Sequence, residues 1–167
     1  MADLVPADRL QPALLDRLTD EEPGQRVEAR EKRVISMRRL RECVLRDLAW
    51  LLNTGNLAQT HDLSAFEQVA DSVLNYGVRD LSGTLASSTD LADVERAIRQ
   101  AIQDFEPRIL RGSVKVKAIG AVDSVTHNAI AFEIEGELWG QPMPTRLYLR
   151  SELDLEDGSI RVTDRAS

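Results

Sequence analysis

The sequence predicts an α+β fold, in which N-terminal helices pack on a C-terminal, mostly antiparallel sheet within a single domain. Three observations support this prediction. Apolar residues recur every three or four positions as far as Pro107, and they alternate with polar residues after Gly112. Helices followed by strands are typical of the α+β class. The length, 167 residues, is that of one ordinary domain.

Residues 1–28 are rich in proline and acidic residues, and we interpret them as an N-terminal docking arm. Within this arm Leu14, Leu15 and Leu18 follow helical spacing and would form one small apolar face. Such a face can bind another subunit, or it can pack back on its own domain. Residues 29–167 form the predicted α+β domain.

The most regular helical stripe runs from about Ala29 to Leu52, where apolar residues repeat at steps of three or four. A second helix is predicted after Ser64, because its spacing to Glu67 matches a capping box. The apolar face of this second helix would consist of Phe66, Val69, Val73 and Leu74.

A third helix is predicted from near Asp90 to the residue before Pro107, since proline disfavours helical backbone at its predecessor. Alternation of period two then predicts strands in segments 114–118, 130–138 and 147–155. The dipeptide at 157–158, Asp-Gly, suits a two-residue hairpin turn. That turn would place residue 155 opposite 160 and residue 153 opposite 162.

Composition and motifs exclude several classes of site. The single cysteine, Cys43, cannot form an internal disulfide, and His61 and His127 alone do not assemble a standard zinc site. The sequence has no phosphate-binding glycine loop, no dinucleotide fingerprint and no nucleophile elbow. We therefore expect no metal, no cofactor and no catalytic residue of these types.

Charge and hydropathy address nucleic acid and membranes. The segment Arg26–Arg46 is basic although the chain carries a net charge of −7, and few aromatic residues interleave with its cations to stack on bases. A solvated face or a protein partner is favoured over nucleic acid. No apolar run approaches the roughly 18 residues of a membrane span, and no secretory signal begins the sequence, so we expect a cytoplasmic protein without membrane insertion.

The sharpest local feature is Glu106-Pro107-Arg108, where proline is expected to fix a bend that projects a carboxylate and a guanidinium on either side. This charged pair could bind a partner, or Arg108 could tie the helix end to the sheet. Glu106 could also be the acid of a glycosidase, which needs a second carboxylate. Asp104 and Asp80 are conceivable second carboxylates, and the spacing selects neither.

Four segments occur in a specific order: PALLDRLTD (12–20), VLRDLAWLLNT (44–54), SVLNYGVRDLSG (72–83) and FEPRI (105–109). Together they resemble TssE, the type VI secretion baseplate family related to a small wedge protein of contractile phage baseplates. The resemblance extends from residue 12 to the end and includes the DLEDG turn at 154–158.

The resemblance implies a non-enzymatic, structural baseplate component that joins the TssF and TssG wedge subunits and seeds assembly of the TssB/TssC sheath. It implies a place beside TssK and the VgrG spike, in the bacterial cytoplasm near the inner membrane. Glu106, Pro107 and Arg108 match the family motif that contacts the helical bundle of the wedge. The family also carries a lysozyme-like label, so peptidoglycan hydrolysis through Glu106 is the alternative function.

The last predicted strand is the remaining site prediction, and its residues are Ser159, Ile160, Arg161, Val162 and Thr163. An uncovered sheet edge offers backbone groups that another chain can adopt as an added strand. Because the resemblance implies a position where the sheath starts, we expect this edge to template the first sheath ring. The alternative is an unused edge on which Asp164 and Arg165 act as charged gatekeepers.

Overall fold

A computed structural model describes residues 12–19, 24, 35–79, 88–124, 127–140 and 144–165. Within these residues the chain forms helices α1 (Leu14–Leu18), α2 (Met37–Leu52), α3 (Glu67–Ala70) and α4 (Ser88–Phe105). Short 3-10 turns occur at Leu57–Gln59, Val73–Asn75 and Arg111–Ser113. The strands are β1 (Lys115–Ser124), β2 (His127–Leu138), β3 (Thr145–Asp154) and β4 (Ile160–Asp164).

The four strands pair in chain order as one antiparallel sheet, and a single core joins it to the helices, which confirms the predicted α+β domain. Alternate residues of each strand point to one face, and α2 and α4 cover that face. The fully buried side chains include Val44 and Leu48 of α2, Ile98 of α4, and Phe132 and Leu149 of the sheet. Among the described residues no helix has the length and hydropathy needed to cross a membrane.

Helix α2 is shorter than the sequence predicts. It begins at Met37, because the Ser36 hydroxyl oxygen accepts a hydrogen bond from the Arg39 amide at 3.1 Å and caps the first turn. Ile35 and Ser36 precede the helix, and the first residues of the prediction, 29–34, lie outside the described residues. From Met37 to Leu52 the predicted apolar stripe faces the core.

The second predicted helix is largely wrong. Helix α3 has only the four residues Glu67–Ala70, and its N-cap is Phe66, without a side-chain cap bond. Ser64 lies in a turn before it, where its amide donates to the Asp62 carboxylate. The apolar face predicted for it is mostly exposed, with Phe66, Val73 and Leu74 in contact with solvent. Helix α4, by contrast, confirms the third predicted helix and ends at Phe105.

The hairpin between β3 and β4 differs from the predicted register by two residues. Leu153 pairs with Ile160, so residues 155–159 form a longer loop instead of a two-residue turn. Asp154 and Asp157 explain the longer loop, since each carboxylate accepts a hydrogen bond from the backbone amide two residues later, at 2.8 Å. A shift of two residues keeps the same side chains on the core face.

Gly77, in the segment before α4, packs its backbone directly against the loop that follows α2. Gly77 has a φ of +120°, and a Cβ placed on it would lie 2.2 Å from the carbonyl oxygen of Thr54. Gly55 and Val78 form an isolated parallel bridge beside it. This close approach brings Tyr76 next to Phe105, with ring centroids 5.3 Å apart in an edge-to-face arrangement.

Candidate functional site

The Glu-Pro-Arg corner borders a groove of about 520 Å³. The groove lies between α1, α2, the residue Tyr76 and the end of α4. Its lining is mostly apolar and consists of Ala13, Leu15, Asp47, Trp50, Leu51, Tyr76, Phe105, Glu106, Pro107 and Arg108. All three residues of the sequence motif therefore line one cavity.

Glu106 and Arg108 bind each other, and this corrects the prediction that Pro107 holds them on either side of a bend. Arg108 Nε donates to Glu106 Oε1 at 2.7 Å, and Arg108 Nη2 donates to Oε2 at 2.5 Å. The Arg108 amide also donates to Oε1, at 3.1 Å. Glu106 is only 3% exposed, so its charge is compensated inside the protein.

Two α2 residues and one α1 residue extend this pair into a network that the sequence did not predict. Arg108 Nη2 donates to Asp47 Oδ2 at 2.6 Å, and Arg46 Nε donates to Asp47 Oδ1 at 2.8 Å. Arg46 Nη1 in turn donates to Asp16 Oδ1 at 2.6 Å. Three carboxylates and two guanidiniums thus connect the arm, α2 and the corner.

The pKa values of the network follow from these contacts. The hydrogen bond from Arg46 lowers the pKa of Asp16 below its ordinary value, and the hydrogen bond to Asp16 raises the pKa of Arg46. Burial alone would lower the pKa of Arg108, but hydrogen bonding and attraction from Glu106 and Asp47 outweigh burial and raise it. Both guanidiniums remain cations at any physiological pH.

The predicted apolar face of the arm exists and is exposed. Leu14, Leu15 and Leu18 lie on α1, a five-residue helix with no buried residue, and Leu15 also lines the groove. The helix is attached to the domain through the ion pair between Asp16 and Arg46. Helix α1 therefore contacts the domain while Leu14, Leu15 and Leu18 stay exposed, which agrees with either sequence interpretation.

The outer edge of β4 is the predicted sheath-contact site, residues 159–163. Arg165 N donates to Tyr148 O at 3.0 Å, and every second residue of an antiparallel strand directs its backbone groups to the partner strand. The backbone N–H and C=O groups of the odd-numbered residues in this segment therefore point to β3. Ile160 and Val162 direct their backbone groups to the free edge.

Helix α2 covers part of that edge. The side chain of Asn53, which follows the helix, binds both backbone groups of Ile160. Arg41 binds the Asp164 carboxylate through both of its oxygens. Within the described part of the chain, Val162 is the residue of this segment whose outward backbone groups have no hydrogen bond.

Comparison with protein families decides the class of this chain. A family model described as baseplate wedge protein gp25 matches residues 38–143, well over half of the sequence. The chain belongs to the gp25 baseplate wedge family. TssE belongs to the same family, so the resemblance seen in the sequence is confirmed at this level. Comparisons with curated proteins and with solved structures gave no significant match.

The gp25 family match coincides with the corner rather than with the arm. It includes α2 with Arg46 and Asp47, the Glu106-Pro107-Arg108 motif, and strands β1 and β2. It begins after α1 and ends before β3. Membership supports a structural role in a baseplate, and the leucines of α1 and the edge of β4 are predictions that rest on this chain alone.

The described carboxylates nearest to Glu106 are engaged by arginines. Asp104, one of the two conceivable partners, binds Arg111 and Gln100 at the surface, and Asp80 lies outside the described residues. Asp47 is the carboxylate that shares Arg108 with Glu106. Both Glu106 oxygens accept from a permanent cation, which suits a structural tie better than proton donation to a substrate.

Metal binding has no geometric support in the described ranges, where no three His, Cys, Asp or Glu side chains are grouped closely enough to hold an ion.

In the described part of the basic segment 26–46, ion pairs neutralise part of the positive charge. Arg38 and Arg39 pair with Glu42, and Arg41 and Arg46 bind carboxylates of β4 and the arm.

Proposed function

We propose that this chain is a TssE-type structural subunit of a type VI secretion baseplate, which joins the TssF and TssG wedge subunits and seeds the TssB/TssC sheath. The observation that carries the proposal is the gp25 family match, which spans α2 and the Glu-Pro-Arg corner. Its place is beside TssK and the VgrG spike, in the bacterial cytoplasm near the inner membrane.

The corner supports the joining role because it combines a rigid scaffold with an open apolar groove. The five charged groups hold one another in position, so a partner that binds there need not order them. The groove walls formed by Tyr76, Phe105 and Pro107 offer apolar contact area. Preorganised apolar grooves of this kind bind helices of partner proteins.

The seeding role is supported by β4, which among the described strands is the last of the sheet and pairs with β3 alone. Its free edge offers the outward backbone groups of Val162 to an added strand. We propose no catalytic residue, since Glu106 is buried against Arg108 and the family is a structural one.

Co-purification tests the joining role. The tagged chain is co-expressed with TssF and TssG, and the wild type is expected to retain both subunits. Glu106→Gln should reduce that retention, because the neutral amide no longer holds Arg108 with two charged oxygens. Glu42→Gln is the matched control, because Glu42 is an exposed α2 carboxylate away from the groove. Failure of the wild-type chain to retain TssF and TssG would overturn the proposed function.

A further inference from the structure

Three large apolar side chains around α3 face solvent. Phe66, Val73 and Leu74 are 60%, 79% and 68% exposed, and we refer to these three residues as the α3 cluster. No apolar residue from Leu57 to Leu74 belongs to the described core, so this segment contributes nothing to the packing of the domain. Single exposed apolar residues are common on protein surfaces, whereas a group of them is typical of a binding surface.

Hydrogen bonds within the segment hold the α3 cluster together. The Phe66 carbonyl oxygen accepts from the Ala70 amide at 3.1 Å, which places Phe66 one turn before Ala70. The side chain of Asn75 donates to the Ala70 carbonyl oxygen at 2.8 Å and accepts from the Ala58 amide at 3.0 Å, so the other two members of the cluster fold back beside α3. A partner that binds the cluster therefore need not order it first.

The charges around the α3 cluster all have one sign. From residue 48 to residue 78 the sequence contains Asp62, Glu67 and Asp71 and neither lysine nor arginine. All three carboxylates are exposed, and no cation of the described residues forms an ion pair with them. An apolar cluster bordered by unpaired carboxylates is complementary to an apolar surface that is bordered by lysine or arginine.

Two other kinds of occupant fit these charges less well. A symmetric contact between two copies of the chain uses the same patch twice, so it would bring the carboxylates of both copies together. Like charges that meet at an interface weaken binding. A membrane surface is disfavoured for the same reason, because anionic lipid headgroups attract basic segments and repel carboxylates.

We propose that the α3 cluster is a second protein-binding surface, and that its occupant is an amphipathic helix of another protein with lysine or arginine beside its apolar face. The cluster supplies the apolar contact area, and the three carboxylates meet the cations. The lining of the groove at the Glu-Pro-Arg corner contains no residue of the α3 cluster. The inference is therefore independent of the joining role proposed for the corner.

Titration of the isotope-labelled chain with a synthetic helical peptide tests the inference. The probe carries leucines on one face and lysines beside them, and a matched peptide carries glutamates in place of the lysines. We expect the NMR amide signals of residues 62–75 to shift with the lysine peptide and to stay unchanged with the glutamate peptide.

Two variants separate the apolar contribution from the charged one. Leu74→Ser should weaken binding of the lysine peptide about tenfold, because it removes an apolar contact. Asp71→Asn should weaken binding about threefold at low salt and very little at about 1 M salt, where exposed charges are screened. Ile119→Ser is the matched control, since Ile119 is a half-exposed apolar residue two positions after Lys117, and it should change affinity less than about twofold. Thermal unfolding of each variant verifies that it is folded.

Several outcomes would overturn the inference. They are absence of binding, signal shifts confined to α1 or to the groove, equal binding of the two peptides, and equal affinity of Leu74→Ser and the wild type. A dimer in sedimentation that disappears in Leu74→Ser would identify a second copy as the occupant instead. Binding to vesicles of anionic phospholipid that is lost in the same variant would identify a membrane. Because none of these measurements involves TssF or TssG, such a result would leave the proposed function standing.

Discussion

The side-chain amide of Asn53 pairs with both backbone groups of Ile160. Asn53 Nδ2 donates to Ile160 O at 2.7 Å, and Asn53 Oδ1 accepts from Ile160 N at 2.8 Å. These are the bonds that a neighbouring strand would make at this position. Asn53 therefore occupies the start of the free edge of β4, and it connects the end of α2 to the sheet.

Replacing Asn53 with alanine should expose that part of the edge. The variant loses two hydrogen bonds to buried Ile160 and a third to the Ala49 carbonyl oxygen, and we expect a loss of about 1–2 kcal/mol in the free energy of unfolding. Hydrogen exchange at the Ile160 amide should become faster. Asn75→Ala is the matched control, since Asn75 also bridges two backbone groups, those of Ala58 and Ala70. Equal Ile160 exchange in the two variants would contradict the role given to Asn53.

Proline substitutions in β4 test strand addition, and the structure decides which position to change. The amide of Arg161 faces β3 opposite Glu152, so Arg161→Pro removes a sheet hydrogen bond and should destabilise the domain by about 1–3 kcal/mol, the cost of the acceptor left unpaired. The amide of Val162 faces outward, so Val162→Pro should leave the domain folded. If the edge seeds the sheath, Val162→Pro stops assembly of TssB/TssC on the baseplate. Normal sheath assembly from that variant would refute strand addition at β4.

The sequence predicted those helices and strands that depend on the periodicity of neighbouring residues. The stripes of α2 and α4 and the alternation in the strands depend on neighbours within one or two turns, so periodicity identified them. The Glu106–Arg108 pair spans only two residues, and the sequence offered a local tie by Arg108 as one alternative. Asp47 reaches Arg108 across 61 residues and Asp16 reaches Arg46 across 30, distances at which no periodic pattern carries information.

Errors in the predicted hairpin and second helix have the same physical origin. In both places a carboxylate near the turn bonds to a backbone amide two residues later and competes with the regular structure. The carboxylates are those of Asp62 and Asp154. Because an aspartate fits several turn types, the sequence alone does not show which turn it will form. Hydrophobic pattern fixed which side chains face inward, but these polar contacts determined where the elements end.

The ion pair that attaches α1 gives a pH dependence of defined sign. Because Arg46 lowers the pKa of Asp16 in the folded state, the unfolded chain binds the proton more tightly. The stabilisation is present above the ordinary value of 3.8 and is lost as pH falls through the lower folded pKa. We expect Asp16→Asn to cost about 1 kcal/mol at pH 7, and its difference from the wild type to shrink below about pH 4.

Asp93→Asn is the control for this prediction. Asp93 forms an exposed pair with Arg96 on α4, so its loss should cost less than about 0.5 kcal/mol.

The reactivity of the Cys43 thiol gives a second test of the Asp16–Arg46 attachment. Burial and the charge of Asp16 raise the pKa of the Cys43 thiol, so Asp16→Asn should speed its alkylation at pH 8. Unchanged unfolding free energy and unchanged alkylation would show that Asp16 does not attach α1.

Gly77 should tolerate no side chain. Its φ of +120° is a conformation that other residues rarely adopt, and a Cβ would clash with the Thr54 carbonyl. We expect Gly77→Ala to lower the free energy of unfolding by about 3 kcal/mol or more, and to displace Tyr76 from the groove. Gly112→Ala is the control, because nothing lies within 4 Å of its added Cβ. Similar unfolding midpoints in urea for both variants would refute the explanation.

Arg108 should matter more to stability than Glu106, although the two side chains form one pair. Arg108→Ala leaves the 3%-exposed Glu106 carboxylate without its cation, and breaking a buried pair in this way costs about 3–5 kcal/mol. Glu106→Ala leaves Arg108 paired with Asp47 and more exposed to water, so we expect a smaller cost. The double variant buries no unpaired Glu106 charge and should be more stable than Arg108→Ala alone. Urea unfolding of all four proteins measures the coupling, and a double variant less stable than Arg108→Ala would mean that Glu106 is stable in the core without its arginine.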